Sequence, residues 1–546
     1  KCFLFINYQY GKINNLMLFN NKIEPSREEL INRGFAPKNG SIDIMFLFPP
    51  TSAMNDYAHR YGRKDLGDLK GDLIPLGIAS LAAYLIEHNF GVAVLDCIAL
   101  GMTHDDIVEI IKERKPQSIG ISATTYALPA SVTLSETLRK EFPDLLIILG
   151  GAHANVAGID AAKNFPCFDI ISYALDGEPV LLDILNKFSE HSFNRDTFLN
   201  DIETMKSIKG IIFKNKDEIV QNIPGDIVKD LDILPEPARE LFPLERYVPM
   251  PNGYKKLPLT NMVVIRGCPY FCTFCDQANT SARRRSPQKA INEIKNVVEK
   301  HGVKEIAFWD DTMSYDKKWM TEFCSLLIDA QLNVIWSCFA VINTVNQEIL
   351  SLMKKAGCWS IYYGYETGVP ELAKNMKTDR KNKSMEKMLE VTKWTKNAGI
   401  EIRGSFMFAL PGENPELAEQ TIENAIKLNP DYAQFSICTP YPGTELYNEI
   451  KNGKWGKLTT EDFSEFQCWN VVFLPDGYHN IEEVINISQK AFRSFYMRPK
   501  YIIRAILKIR SLEDIRRYIK GFVALIKGFA FGPMPSEARV STGRTP

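Results

Sequence analysis

Three cysteines crowd into eight residues of this chain, within the segment Arg266-Gly267-Cys268-Pro269-Tyr270-Phe271-Cys272-Thr273-Phe274-Cys275-Asp276. Spaced C-x3-C-x2-C, they offer soft thiolates suited to zinc or to an iron–sulfur cluster. A structural zinc wants four protein ligands. No fourth Cys or His lies close in sequence, and the next cysteine, Cys324, falls inside a predicted helix. Three thiolates on a four-iron cluster leave one iron open, and an open iron can bind a substrate or cofactor. The spacing alone also admits a zinc loop or a cluster that only passes electrons. The total of 11 cysteines is odd, and most of the others sit singly in apolar runs. That is the pattern of a reducing compartment, with buried structural thiols outside the triplet.

The elements that must carry this loop read as two alternating series. From 41 to 190, short apolar strands at 42–48, 91–95, 118–122 and 145–149 alternate with helices at 78–88, 103–114 and 130–142. Such alternation predicts a parallel, doubly wound sheet, whose ligands bind outside the carboxyl ends of the strands. Turn-rich segments stand there: Pro49-Pro50, Ser122-Ala123-Thr124-Thr125 and Gly150-Gly151-Ala152-His153. Residues 191–250 read as a linker with a hairpin, formed by Gly210–Phe213 and Glu218–Val220, and residues 1–40 show no clear period. From 251 to 450 a second series places strands near 260–265, 305–308, 334–337, 360–363, 401–408 and 432–439, with helices between them. Six such repeats predict a partial (β/α)6 barrel. Residues 451–546 read as helical and increasingly basic.

The order of these features resembles the radical S-adenosylmethionine superfamily. The resemblance rests on the C-x3-C-x2-C triplet after the first barrel strand, Phe274 before the last cysteine, the acidic end Phe308-Trp309-Asp310-Asp311, and Gly364-Tyr365-Glu366 on a middle strand. Leu410-Pro411-Gly412-Glu413 and Thr439-Pro440-Tyr441-Pro442-Gly443-Thr444 add late-barrel loops. It implies a 4Fe-4S cluster on Cys268, Cys272 and Cys275, whose open iron chelates S-adenosylmethionine. Tyr270, Phe274, Asp311, Gly364 and Glu366 are then expected at that cofactor, Glu366 facing its ammonium. Relatives often carry an Arg where Val341 stands and a Gly where Ala409 stands; Arg403 is the expected substitute for the missing charge.

A doubly wound domain ahead of the barrel resembles the cobalamin-binding subclass, which includes radical methyltransferases and the anaerobic porphyrin ring cyclase. The resemblance implies cobalamin contacts from Pro49, Pro50, Gly77, Ser122, Thr124, Gly150, Gly151, His153, Gly177 and Glu178. No D-x-H-x-x-G follows the first strand, so no protein His is expected beneath cobalt. Asp96-Cys97-Ile98-Ala99-Leu100-Gly101 has the spacing, with Ile98 in the His position. The implied chemistry is methyl transfer to an unactivated carbon of a small molecule. An external low-potential donor, flavodoxin or ferredoxin, would supply electrons. The alternatives are oxidative cyclisation and a non-catalytic cobalamin sensor.

Net charge of −1 gives no reason to expect nucleic acid. No run of about 18 apolar residues predicts a membrane span. A cytoplasmic protein is expected. Its basic C-terminal stretch, with Arg493, Arg498, Lys500, Arg504 and Lys508 among apolar residues, suits either a cap on the barrel or contact with a membrane surface.

Overall fold

The computed structural model describes residues 25–50, 72–249 and 253–507. Two parallel sheets organise them. The first runs β1 (Phe35–Ala36), β3 (Val92–Asp96), β2 (Ile44–Phe48), β4 (Ser118–Ser122), β5 (Leu146–Gly150), β6 (Ile170–Ser172), β7 (Ile211–Asn215) and β8 (Glu218–Gln221). β2 through β6 are parallel, and apolar cores cover both faces. Strand order reverses between β2 and β4, so the crevice lies outside their carboxyl ends, beside Pro49, Pro50 and Ser122-Ala123-Thr124. The hairpin expected in the linker is present. It is not free-standing: β7 pairs antiparallel with β6 and extends the sheet. A hairpin is local and legible, but its docking edge is not.

The second sheet holds β9 (Leu259–Met262), β12 (Glu305–Phe308), β13 (Ile335–Ala340), β14 (Cys358–Glu366), β15 (Glu401–Phe408) and β16 (Tyr432–Ile437). These six are all parallel and adjacent in chain order. Right-handed crossovers in unbroken order put every helix on one face and curl the sheet toward a barrel. Burial alternates accordingly: Ile402, Phe406 and Phe408 of β15 join the helix-side core, while Arg403, Ser405 and Met407 face the concave side and keep exposure. The expected strand at 260–265 is broken after Met262. Ile265–Arg266 (β10) instead pairs antiparallel with Arg283–Arg284 (β11), closing the stem of the cysteine loop.

Asp310 is the reason for the break. It accepts hydrogen bonds from the Val264 and Ile265 N–H groups at 2.6 and 2.5 Å, turning the chain out of the sheet. After β15 a comparable buried carboxyl holds the next loop. Glu413 accepts from the Ala409 N–H and the Tyr478 hydroxyl, both at 2.6 Å. Ala409 sits at φ 56, the left-handed region where glycine is unstrained, and this bond secures it there.

Beyond 450 the described chain opens with a small antiparallel pair, Gly456–Leu458 with Phe473–Pro475, before helices Ile481–Tyr496 and Pro499–Leu507. Among the described residues no helix is long and apolar enough to cross a membrane.

Burial pushes the Glu413 carboxyl from its ordinary 4.5 up to about 8. Between those values the folded protein keeps a proton that the unfolded chain has released. Glu413 therefore makes stability fall as pH rises from about 4.5 to about 8. Thermal unfolding across that range is expected to show a shallower fall for Glu413→Gln than for the parent, and an unchanged slope would disprove the assignment.

Candidate active site at the cysteine loop

Backbone bonds fix the cysteine loop from several elements. The Cys268 N–H donates to Thr280 Oγ1, and the Thr280 N–H donates back to the Cys268 carbonyl. Between Cys272 and Cys275, the Thr273 N–H donates to the Met376 carbonyl and the Leu446 N–H donates to the Thr273 carbonyl. Phe274 packs beside Val369, Leu372, Met376, Leu410 and Leu446. Tyr270 donates its hydroxyl to Asn343 Oδ1 at 2.9 Å. Gly267 sits at φ 91, and a β-carbon there would meet the Ser281 carbonyl oxygen at 2.3 Å, so only glycine fits the turn.

Asp311 accepts from the Gly267 N–H at 2.9 Å. Its expected place at the cofactor is therefore shared with a structural task, holding the first turn of the loop. Cys324 lies on the outer face, its thiol 3.8 Å from the Met320 sulfur, and completes no set with the triplet. Among the described residues, no three His, Cys, Asp or Glu side chains converge on a single-ion site. Burial raises all three thiols above their ordinary values, Cys275 to about 12. Thiols so placed lose their protons only to a strong positive centre, which a ferric–ferrous cluster provides.

Glu366, expected at the ammonium of the cofactor, ends β14, and its charge acts on the Cys272 thiol. A bulge in β14 puts Glu366 at φ 60 and folds its side chain back over Gly364. A β-carbon on Gly364 would fall 2.3 Å from Glu366 Oε1 and 2.8 Å from Lys381 Nζ. A larger residue there would displace the ends of both side chains from where they lie. Asn382 Nδ2 donates to the Gly364 and Tyr365 carbonyls and supports the strained turn.

Lys381 Nζ pairs with Glu366 Oε1 at 2.7 Å, and both side chains are largely buried. Its charge also acts on Cys268, Cys272 and Cys275. Nothing in the sequence marked this residue, because it lies in a short helix (Asp379–Asn382) with no motif spacing to Glu366. Arg403, expected to supply the charge, is elsewhere. It pairs in register with Tyr362 and Tyr432, three residues before Phe406, the partner of Glu366. Its guanidinium lies over Trp359 and Tyr362 instead.

Around the first sheet, β-carbons on Gly77 and Gly150 would meet nothing within 4 Å among the described residues. At Gly151, φ 92, a β-carbon would strike Ala123 backbone atoms at 2.8 Å. This cradle fits a large flat ligand lying close to backbone. Pro49 and Pro50 follow β2 at the same mouth, Ser122 ends β4, and Thr124 follows it. His153 is only 1% exposed, with Nδ1 3.3 Å from Thr125 Oγ1 and its ring 5.2 Å from that of Phe463; burial lowers its pKa to about 4. It is a neutral packing residue, not a free contact. Gly177 packs on Leu81. Asp96 closes its own turn by accepting from the Ile98 and Ala99 N–H groups, and it accepts from the Tyr247 hydroxyl.

Glu178, expected at the cobalamin, is engaged differently. Both its oxygens accept from Arg266, at 2.6 and 3.1 Å. Asp176 accepts from Arg266 Nη1 at 2.8 Å, from Arg283 and from the Val228 N–H. Asp176 stands at the N-cap of helix Gly177–Glu190 yet makes no side-chain cap bond, because its carboxylate is turned to these arginines. Arg266 and Arg283 form the stem of the cysteine loop. One four-residue ion network therefore ties the end of β6 in the first sheet to that loop.

Comparison with known proteins matches both halves of the chain to families. Residues 262–425 match the family model of the radical SAM superfamily, and residues 62–179 match that of the B12 binding domain. An uncharacterized methyltransferase of Pyrococcus horikoshii is 29% identical over 82% of this chain and 93% of its own. An anaerobic magnesium-protoporphyrin IX monomethyl ester cyclase of Rubrivivax gelatinosus is 26% identical over 83% of this chain and 79% of its own. The fold is shared with the radical S-adenosylmethionine methyltransferase TsrM of Kitasatospora setae, solved with cobalamin and a [4Fe-4S] cluster. That match has a TM-score of 0.63 at 15% identity and covers 90% of this chain and 99% of the other.

Lys381→Met leaves Glu366 a buried, unpaired carboxylate and is expected to cost about 3 kcal/mol. Adding Glu366→Gln removes the orphaned charge and is expected to recover most of the loss. Denaturant unfolding of the single and double variants measures both; a double variant no better than Lys381→Met would show that the pair is not coupled.

Proposed function

Because the chain belongs to the cobalamin-binding radical S-adenosylmethionine superfamily, we propose that it methylates an unactivated carbon of a natural-product or lipid-like small molecule. The observation that carries this reading is the ion network joining the two halves: it holds the crevice of the first sheet and the cysteine loop in one fixed relation. When bound, the cofactors supply a radical that removes hydrogen from substrate and a methyl group that takes its place.

The chain's own residues do the rest. Cys268, Cys272 and Cys275 hold the cluster. Glu366 would hold the ammonium of S-adenosylmethionine, and Lys381 would hold its carboxylate. Phe274, Tyr270 and Gly364 border the same cofactor. Pro49, Pro50, Gly77, Ser122, Thr124, Gly150 and Gly151 shape the cobalamin crevice. Asp310 and Asp311 keep the loop stem from shifting. A flavodoxin or ferredoxin is the electron donor in a cytoplasmic setting.

The cyclase relative keeps a second outcome in view, hydrogen loss without carbon gain. Anaerobic reconstitution is expected to give four irons and one cobalt per chain, and reduction to yield 5′-deoxyadenosine from S-adenosylmethionine. Product mass should rise by one methylene unit. A loss of hydrogens with no carbon gained overturns methylation in favour of cyclisation. No cleavage of S-adenosylmethionine overturns both and leaves a cobalamin sensor.

Membrane contact has one supporting observation. In helix Pro499–Leu507, Arg504 and Tyr501 turn inward to the Pro430 and Asp431 carbonyls, while Ile502, Ile503, Ile506 and Leu507 are exposed. Lys508 and the rest of the basic stretch lie outside the described residues. Anionic vesicles at low salt are expected to retain the protein and to release it as salt rises. Failure to bind at low salt rejects the contact.

A further inference from the structure

One register row crosses the concave face of the barrel sheet. Phe339 on β13 pairs with Tyr362 on β14, Tyr362 with Arg403 on β15, and Arg403 with Tyr432 on β16. Trp309 follows the end of β12, where Ala307 pairs with Ser337, and so extends the row by one residue. The side chains meet. Ring centroids are 5.4 Å apart between Trp309 and Phe339 and 4.8 Å apart between Phe339 and Tyr362. The Arg403 guanidinium carbon is 5.7 Å from the Tyr362 ring.

Their strand neighbours Ile361, Tyr363, Ile402 and Ala433 are buried in the helix-side core, so the row itself faces the hollow. Trp309 is 50% exposed, an unusual position for the largest apolar side chain. Tyr362 keeps accessible surface, yet burial pushes its hydroxyl up to about 12. Crowding together with accessibility marks the wall of a concave space.

Arg403 ends the ring wall, and its guanidinium makes no hydrogen bond or ion pair among the described residues; its Nε is buried without a partner. A guanidinium carries five donors in a planar fork, and desolvating it without an acceptor is costly. Glu305, the carboxylate nearest in effect, is already engaged. Its Oε1 accepts from Trp359 Nε1, and its Oε2 accepts from the Lys255 and Lys256 N–H groups. Burial also pushes Glu305 up to about 7, which weakens it further as a counter-charge.

We infer that this row is the substrate seat, with Trp309, Phe339 and Tyr362 taking the flat apolar body of the substrate and Arg403 pairing with its carboxylate or phosphate. The inference rests on the proposed function and narrows its substrate class. The fork of Arg403 suits either anion bidentately, and the rings suit a planar or extended apolar face. Arg403 lies three residues before Phe406, the register partner of Glu366. At 3.3 Å per residue that is roughly 10 Å, the span the substrate must bridge between its anionic end and the level of Glu366.

Three probes share one flat body: 1-pyrenebutyrate, 1-pyrenebutyl phosphate and neutral 1-pyrenebutanol. Calorimetric titration into the anaerobic holoprotein is expected to show at least one anion bound about tenfold or more tighter than the alcohol. The tighter of the two identifies the group. Arg403→Met should abolish the preference, and Trp309→Ala should weaken all three probes alike while keeping their ratio. Equal binding of the three by the parent protein, or a preference that survives Arg403→Met, overturns the inference. The parent titration needs no variant to fold. Cleavage of S-adenosylmethionine by the reduced parent protein is measured separately. If cleavage is absent while the anion preference stands, the proposed reaction fails and the seat does not.

Discussion

A buried ion network ties the first sheet directly to the stem of the cysteine loop. Asp176 and Glu178 leave the first sheet at the start of one helix, and Arg266 and Arg283 rise from the two short strands of the cysteine loop stem. Asp176 has no exposed side-chain surface; burial works against the charge on Arg266, and the Glu178 and Asp176 carboxylates overcome it and hold the guanidinium protonated. Such a network adds little net stability, because desolvation offsets most of the attraction. Its contribution is orientation: bidentate arginine–carboxylate bonds fix direction as well as distance. Arg266 stands one residue before Gly267 and two before Cys268, so a shift of the first sheet moves the first cysteine with it.

Much of this was legible in sequence, and the reason is locality. Strand and helix periods in both halves report contacts made within a few residues, and the cysteine triplet is a loop of eight. The G-x-E element was legible too, although its setting needs three dimensions: the Glu366 carboxylate folds back over Gly364. Ala409 shows how a departure can be tolerated. The position demands a left-handed backbone, and Glu413 holds an alanine where a glycine would rest without strain.

What sequence could not show were partners brought together over long separations. Lys381 reaches Glu366 only because a short helix docks against the end of β14. Asp311 and Glu178 belong to motifs that suggested cofactor contact, and the fold gives them the Gly267 N–H and Arg266 to hold. Arg403 was expected near the cluster because its strand is adjacent. Register decides otherwise, since strand membership fixes a residue's column and only the pairing fixes its height. His153, suggestive in a glycine turn, is enclosed between Thr125 and Phe463.

Under the function proposed above, the Glu366–Lys381 pair also sets what the pocket selects. A bare carboxylate would attract any cation. Here an incoming ligand must exchange with a lysine, and a simple cation that frees Lys381 leaves that ammonium without a counter-charge. Only a molecule carrying both an ammonium and a carboxylate satisfies the two residues at once. The resting ion pair is thus a mould of an amino-acid zwitterion, and it discriminates by charge pattern before any sulfur or adenine is read.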